Sequence, residues 1–268
     1  HGVIVTSLLG RYAYGSTYYG IALDNDLYLN TTNVYKIDGS KANLSTQKNI
    51  GVINASFGAN YIYGTSDAAR AIVDTTFATL RANWVNIFKG TAGYIYQGLD
   101  MSDAIITKAA GNDAIVSDKE SFVKAYADDS AINSRLLIVG ALNFNVNGKG
   151  FIASYSNTAG TYSNVKNRFV VASGGTPFST GDIYVDGRVV NGSDFNNAGT
   201  SFAAPRVAGY AAILRQKFPN LDAVKASSII LDTARYDTLN CHPNCDPNIY
   251  GSGQASLSRS LAPVGSLR

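Results

Sequence analysis

A single stretch of the sequence, from Gly199 to Pro205, combines residue types that could perform nucleophilic chemistry. It reads Gly-Thr-Ser-Phe-Ala-Ala-Pro, and Ser201 falls where a loop is expected to enter a helix. At such a position the serine hydroxyl faces outward, and the positive end of the helix dipole favours negative charge on a reacting group. The same stretch also fits a serine that only caps the N-terminus of a buried helix. From these residues alone both interpretations stay open.

A serine nucleophile needs a base that accepts its proton, and histidine is suited to this role because its pKa lies near neutrality. The sequence contains two histidines, His1 and His242. The oxyanion that forms during attack on a carbonyl needs an amide donor. Asn112 is a candidate, because it follows two alanines and a glycine that would let its side chain point into a cleft.

The elements that would position these residues alternate between strands and helices. Apolar, β-branched runs predict strands at Leu27–Leu29, Ile50–Asn54, Ala104–Ala110, Leu136–Leu142 and Arg168–Ala172. Helical spacing of apolar residues predicts helices at residues 1–11, Asp67–Phe88, Phe122–Ala127, Ser201–Phe218, Asp222–Ala234 and Ala255–Leu261. Hairpin turns are predicted at Asn147-Gly148 and Asp186-Gly187. A capping box of Ser117 and Glu120 is predicted to open the helix at Phe122–Ala127.

This alternation predicts an α/β fold with three αβα layers, in which helices cover both faces of a mostly parallel central sheet. Residues 1–268 contain no internal repeat, low-complexity tract or linker, so the prediction is one domain. Its charged fraction is 15%, below the roughly 25% usual for soluble proteins. The net charge of +3 is too small to indicate a nucleic-acid or anionic-membrane partner.

The sequence also bears on where the protein works. No apolar run approaches the length of a membrane-spanning helix, and the first residues lack the basic region of a signal peptide. Any targeting segment is therefore expected upstream or removed. Cys241 and Cys245 favour a local disulfide and hence an oxidising compartment. A metal site of Cys241, His242 and Cys245 is the alternative, although no fourth ligand is evident.

Several blocks of the sequence resemble the subtilisin-like serine proteases, and they follow in that family's order. GTSFAAPRVAG resembles the nucleophile motif, with Phe202 and Arg206 as departures, and HGVIVTSLLG resembles the segment in which the catalytic histidine opens a buried helix. The other similar blocks are YGIALDNDLYL, NASFG, KAAGN, LLIVGALN and ASYS. Together these blocks cover nearly the whole chain.

The resemblance implies a serine endopeptidase and a role for each matching residue. Ser201 would be the nucleophile, His1 the general base and Asn112 the oxyanion donor. The remaining implied site residues bind substrate: Ser56, Phe57 and Gly58 pair with an extended peptide, and Ala109, Ala110 and Gly111 form the opposite wall of the primary specificity pocket. These small residues would leave the pocket open to a sizeable apolar side chain. No cofactor is required, and no ligand set can be assigned for the calcium sites frequent in the family.

One family residue is missing from the sequence, namely the aspartate that orients the histidine. No Asp-Ser-Gly or Asp-Thr-Gly occurs, and Asp24 and Asp26 lie in a block without a catalytic role. The aspartate-bearing strand is therefore expected to be absent from this chain and supplied by a complementary N-terminal fragment, because a sheet without it would carry an unfilled central position. The alternative is a catalytically impaired subtilase or pseudoprotease that acts as a binding or adhesion domain.

The tail DPNIYGSGQASLSRSLAPVGS resembles the end of protease passenger domains in bacterial autotransporters, which implies a secreted or cell-surface protease. A different class of hydrolase is an α/β-hydrolase esterase that uses Ser201, Asp232 or Asp237, and His242. That alternative lacks the G-x-S-x-G elbow which the esterase fold requires.

Overall fold

The computed structural model describes residues 12–14, 17–19, 28–30, 34–36, 48–58, 66–90, 99–175, 183–185, 188–190 and 198–262. The helix predicted at residues 1–11 lies outside these ranges. So do Asp24 and Asp26, to which no role is assigned, and His1, whose predicted role remains a prediction.

Strands and helices alternate along the described chain. The strands are β1 (Tyr12–Tyr14), β2 (Thr17–Tyr19), β3 (Tyr28–Asn30), β4 (Val34–Lys36), β5 (Lys48–Asn49), β6 (Val52–Ala55), β7 (Leu99–Asp100), β8 (Ile105–Ala109), β9 (Leu136–Phe144), β10 (Gly150–Ile152), β11 (Phe169–Ser173), β12 (Ile183–Val185) and β13 (Arg188–Val190). The helices are α1 (Asp67–Thr76), α2 (Ala78–Lys89), α3 (Ser121–Asp128), α4 (Ser130–Asn133), α5 (Ser163–Lys166), α6 (Thr200–Lys217), α7 (Ala223–Asp232), α8 (Pro247–Tyr250) and α9 (Leu257–Leu261).

The central sheet is mostly parallel, as the sequence predicts. Strands β6, β8, β9 and β11 are parallel neighbours in that order, and β10 pairs antiparallel with the end of β9. Ala55 at the end of β6 lies opposite Lys108 near the end of β8. The carboxyl ends of these two strands therefore meet at one edge of the sheet.

Side chains on the parallel strands alternate between two apolar layers, as the pleat of a sheet requires. Ile106 and Ile138 contribute to the layer that contains α3, whereas Ile105 and Val139 contribute to the layer that contains α6. Helices thus cover both faces of the sheet, and the described chain has the expected αβα arrangement. Small residues bring α6 close to the sheet, and those that are fully buried are Ala203, Ala204, Ala208 and Ala211.

Both predicted hairpins are confirmed. Strands β9 and β10 pair antiparallel around Asn147-Gly148, and Gly148 takes a left-handed backbone with φ of +72°. Strands β12 and β13 pair antiparallel, as the second hairpin requires, and the predicted turn residues Asp186-Gly187 lie outside the described ranges.

Two predicted details of the helices are wrong. The predicted helix Asp67–Phe88 is interrupted at Phe77, where α1 has ended and α2 begins. The predicted capping box does not form, because the Ser117 hydroxyl donates to Thr158 O at 2.8 Å and a 3₁₀ turn occupies Ser117–Lys119. Glu120 itself caps α3 and accepts hydrogen bonds from the first backbone N–H groups of that helix.

The same glutamate forms a fully buried ion pair with Lys108. Lys108 Nζ lies 3.4 Å from Glu120 Oε2, and both side chains are 1% exposed. Lys108 Nζ also donates to Ala109 O at 2.7 Å. Burial lowers the pKa of Lys108, and the Glu120 carboxylate opposes that decrease. The pair lies beside Gly58, where an added Cβ would come within 3.1 Å of Glu120 Oε1. It therefore fills the space between the ends of β6 and β8.

We expect Lys108→Met to lower the free energy of unfolding by about 3–5 kcal/mol, because it leaves the buried Glu120 carboxylate without its cation. The double variant Lys108→Met/Glu120→Gln should recover part of that loss, since no buried charge remains. Urea denaturation followed by circular dichroism measures both values.

The control is the exposed pair Lys225–Asp222, whose charged atoms lie 3.0 Å apart. Lys225→Met should change the free energy of unfolding by less than about 1 kcal/mol. Equal effects of the Lys108 and Lys225 substitutions would refute a structural role for the buried pair.

Candidate active site

Ser201 lies in the first turn of α6, at the point where a loop enters this helix. Gly199 precedes the helix with an extended backbone and has no side chain of its own to cap the helix N-terminus. Ser201 is partly exposed, whereas Thr200 before it is buried. Because the first N–H groups of a helix have no acceptor within it, the Ser201 N–H can donate to a bound group. Its location therefore suits a nucleophile whose own N–H stabilises the negative charge that develops.

Asn112 is held against the start of this helix by Thr200. Asn112 Oδ1 accepts from Thr200 N and from Thr200 Oγ1, both at 2.9 Å. The Thr200 hydroxyl in turn accepts from Gly111 N at 3.2 Å. Since a backbone N–H can only donate, these contacts fix which end of the carboxamide is oxygen. The other end is therefore the NH₂ donor, and it lies beside Gly199.

The loop that carries Asn112 is organised by a second asparagine. Asn157 is fully buried, and its Oδ1 accepts from Asp113 N at 3.0 Å and Ile115 N at 3.2 Å. Its Nδ2 donates to Ala110 O at 2.9 Å. Gly111 has φ of +109°, and an added Cβ would lie 2.3 Å from Asn157 Nδ2, so only glycine fits there. One side chain thus fixes the backbone on both sides of Asn112.

The segment after β6 reaches the same helix. Ser56 Oγ donates to Ser201 O at 3.0 Å, so the predicted peptide-binding strand contacts the predicted nucleophile directly. The partly exposed Phe57 ring packs 5.3 Å from Trp84 and 5.8 Å from Phe122, measured between ring centroids. Gly58, the next residue, is exposed and lies beside the buried Lys108–Glu120 ion pair. Ser56, Asn112 and Ser201 therefore converge at the edge of the sheet.

The predicted wall of Ala109, Ala110 and Gly111 is made of backbone. Both alanine methyl groups are buried, one in each apolar layer. The three carbonyl oxygens already accept hydrogen bonds from Lys108 Nζ, Asn157 Nδ2 and Asn157 N respectively. A ligand would therefore meet a backbone surface whose shape these hydrogen bonds hold fixed.

The remaining predicted residues are not part of the described arrangement. Cys241 and Cys245 form a disulfide that closes the loop around His242. His1 lies outside the described residues, so its proximity to Ser201 stays a prediction.

Three residues that shape the site, Thr200, Asn157 and Pro205, have roles that the sequence does not predict. The first two act through side-chain contacts with Asn112 or its loop, over sequence separations of 88 and 44 residues. No local pattern marks such a pairing. Pro205 could have been noticed, because proline is unusual inside a helix.

Within the described ranges, no group of three or more His, Cys, Asp or Glu side chains is placed to hold a metal ion. No helix among the same residues is long and apolar enough to cross a bilayer.

Comparisons with known proteins point to one family. A profile of the subtilase family matches residues 1–253, whereas no curated protein matches the chain. The solved prenylagaramide maturation protease is 19% identical, with a TM-score of 0.44, over 78% of this chain and 60% of its own. A cold-adapted subtilisin-like serine proteinase is 18% identical, with a TM-score of 0.40, over 76% of this chain and 52% of its own. Fervidolysin from Fervidobacterium pennivorans, a keratinolytic enzyme related to subtilisin, is 23% identical, with a TM-score of 0.45. The match covers 80% of this chain and 27% of fervidolysin. This chain spans less than two thirds of each of these proteins.

We expect Asn157→Ala to lower the free energy of unfolding by about 2–4 kcal/mol, because it removes three hydrogen bonds, two of them buried, and leaves their backbone partners unsatisfied. Denaturant titration measures the loss. Asn147→Ala, at an exposed hairpin position, is the matched control and should change the value by less than about 0.5 kcal/mol. A loss at position 157 no larger than the loss at position 147 would contradict the role given to Asn157.

Proposed function

Because the chain belongs to the subtilase family, we propose that it acts as a serine endopeptidase with Ser201 as the nucleophile and His1 as the general base. The observation that carries this proposal is the contact of Asn112 with Thr200 at the N-terminus of α6. That contact leaves two donors, the Ser201 N–H and the Asn112 NH₂ group, near the serine. Such a pair is what the oxyanion of acyl transfer needs.

The proposed reaction proceeds in two halves. The Ser201 hydroxyl attacks the peptide carbonyl carbon while its proton passes to His1, and the two donors stabilise the oxygen anion. The C–N bond then breaks, and the protonated His1 gives its proton to the leaving amine. Water then attacks the acyl-serine while His1 accepts a proton from it. The protonated His1 returns that proton to Ser201 Oγ as the acyl C–O bond breaks, which releases the acid product and restores the free Ser201 hydroxyl. No cofactor takes part, and we assign no role to calcium.

The substrate would lie extended between two segments of the chain. Main-chain pairing with residues 56–58 would hold it on one side, and the fixed backbone of residues 109–111 would bound the pocket on the other. The small residues at 109–111 favour a sizeable apolar side chain before the cleaved bond.

We place the carboxylate that orients His1 in a complementary N-terminal fragment, since the 268 residues contain no aspartate in the expected motif. We also propose that the enzyme is secreted or held at a bacterial cell surface. The Cys241–Cys245 disulfide supports this location, because disulfides persist in oxidising compartments. The resemblance of the tail to autotransporter passenger domains points the same way.

A fluorophosphonate probe tests the nucleophile in the natural protein. We expect covalent labelling at Ser201, its loss in Ser201→Ala and a fall of at least about 10³-fold in His1→Ala, because an unassisted serine hydroxyl is a poor nucleophile. His242→Ala should label at the normal rate, which distinguishes the peptidase from the esterase arrangement. Absence of labelling in the unaltered protein would favour a pseudoprotease with a binding role instead.

The oxyanion site is tested by the rate of peptide hydrolysis. Asn112→Ala should lower kcat by about 10²–10³, the range known for such a donor in a subtilisin, with little change in KM. Thr200→Val should lower kcat by about 10-fold, because the Asn112 carboxamide loses one of its two anchors. Thr200→Ser keeps the hydroxyl and serves as the matched variant. If Thr200→Val and Thr200→Ser have equal kcat values, Thr200 does not orient Asn112 through its hydroxyl.

A further inference from the structure

Pro205 lies inside α6, and it breaks one specific hydrogen bond of that helix. In an α-helix the N–H of residue 205 would donate to the carbonyl of residue 201. Proline has no N–H, and its ring pushes against the carbonyl four residues earlier. The carbonyl that lacks its helical partner is therefore the one that belongs to Ser201.

A side chain from outside α6 donates a hydrogen bond to that carbonyl oxygen. Ser56 Oγ donates to Ser201 O at 3.0 Å, across 145 residues of sequence. A carbonyl without a partner at this partly buried position would be unfavourable. The Ser56 hydroxyl therefore takes the place of the N–H donor that Pro205 lacks.

The Ser56 hydroxyl is itself held in place by polar groups of the sheet. Asn54 Nδ2 donates to Ser56 Oγ at 3.0 Å, and Asn54 Oδ1, 3.1 Å from the same oxygen, competes with Ser201 O for its single hydrogen. Thr107 on β8 has acceptors in Ile53 O at 3.2 Å and Asn54 Oδ1 at 3.4 Å, and its single hydrogen serves one of them at a time. These contacts link β8 and β6 to the first turn of α6.

We propose that Ser56 is a positioning residue, which fixes the nucleophile relative to the peptide-binding segment through the carbonyl that Pro205 leaves open. This inference rests on the proposed function. It gives the Ser56 side chain a task separate from the main-chain pairing of residues 56–58 with substrate. Through it, the segment that would hold the peptide and the turn that carries Ser201 share one hydrogen bond. A shift of either would displace the hydroxyl from the carbonyl it attacks.

A double-mutant cycle in the natural protein tests this coupling, with the rate of fluorophosphonate labelling as the readout. Ser56→Ala should lower the labelling rate by about 5- to 30-fold, the loss expected for one hydrogen bond. Pro205→Ala restores a backbone N–H that can donate to Ser201 O. In that background, Ser56→Ala should lower the rate by less than about 3-fold. Equal losses in the two backgrounds would overturn the proposal.

A second pair of variants tests the same idea without altering the helix. Ser56→Thr keeps a hydroxyl, whereas Ser56→Val introduces a side chain of the same shape as threonine but without the hydroxyl. We expect Ser56→Thr to be labelled at least about 5-fold faster than Ser56→Val, with melting temperatures showing that both are folded. Equal rates would refute a role for the hydroxyl.

The unaltered protein separates this inference from the function on which it rests. If Ser201 is not labelled there, the proposed peptidase activity is wrong. If Ser201 is labelled but the cycle is additive, only the positioning role of Ser56 is wrong.

Discussion

The site depends on one hydrogen-bonded contact, in which the Asn112 carboxamide oxygen accepts from both the N–H and the hydroxyl of Thr200. Asn112 follows a central strand and Thr200 begins the helix that carries Ser201, so the contact ties the sheet to the proposed nucleophile. Apolar packing against the sheet brings the helix close, but it is not directional. Hydrogen bonds that depend on distance and angle are needed to orient an amide, and the two from Thr200 meet this need.

The parallel pairing of β6 and β8 determines where this contact can form. Because neighbouring parallel strands end at the same edge, the segments that leave them, residues 56–58 and 111–115, lie side by side. Crevices outside the carboxyl ends of strands are the usual binding places of such sheets. Buried alanines in α6 let its first turn approach this edge. The place of the candidate site thus follows from the topology, and a few polar side chains then set its geometry.

Much of this architecture could be predicted from the sequence because its signals are local. The apolar run at Leu136–Leu142 and the Asn147-Gly148 turn carry their structure within a few residues, and the start of α6 is marked in the same way. The polar contacts could not be predicted, because their partners are far apart in sequence. Ser117 was expected to cap a helix, but its hydroxyl bonds Thr158, 41 residues away, and Glu120 takes the cap. The role of His1 remains a prediction.

The buried pair of Lys108 and Glu120 restricts what can stand at position 58. A Cβ there would lie 3.1 Å from Glu120 Oε1, so this buried carboxylate would have to move by a few tenths of an ångström. Substitution at position 58 alone is therefore expected to favour glycine and other small residues. Because the restriction comes from the ion pair, positions 58, 108 and 120 form one unit for redesign.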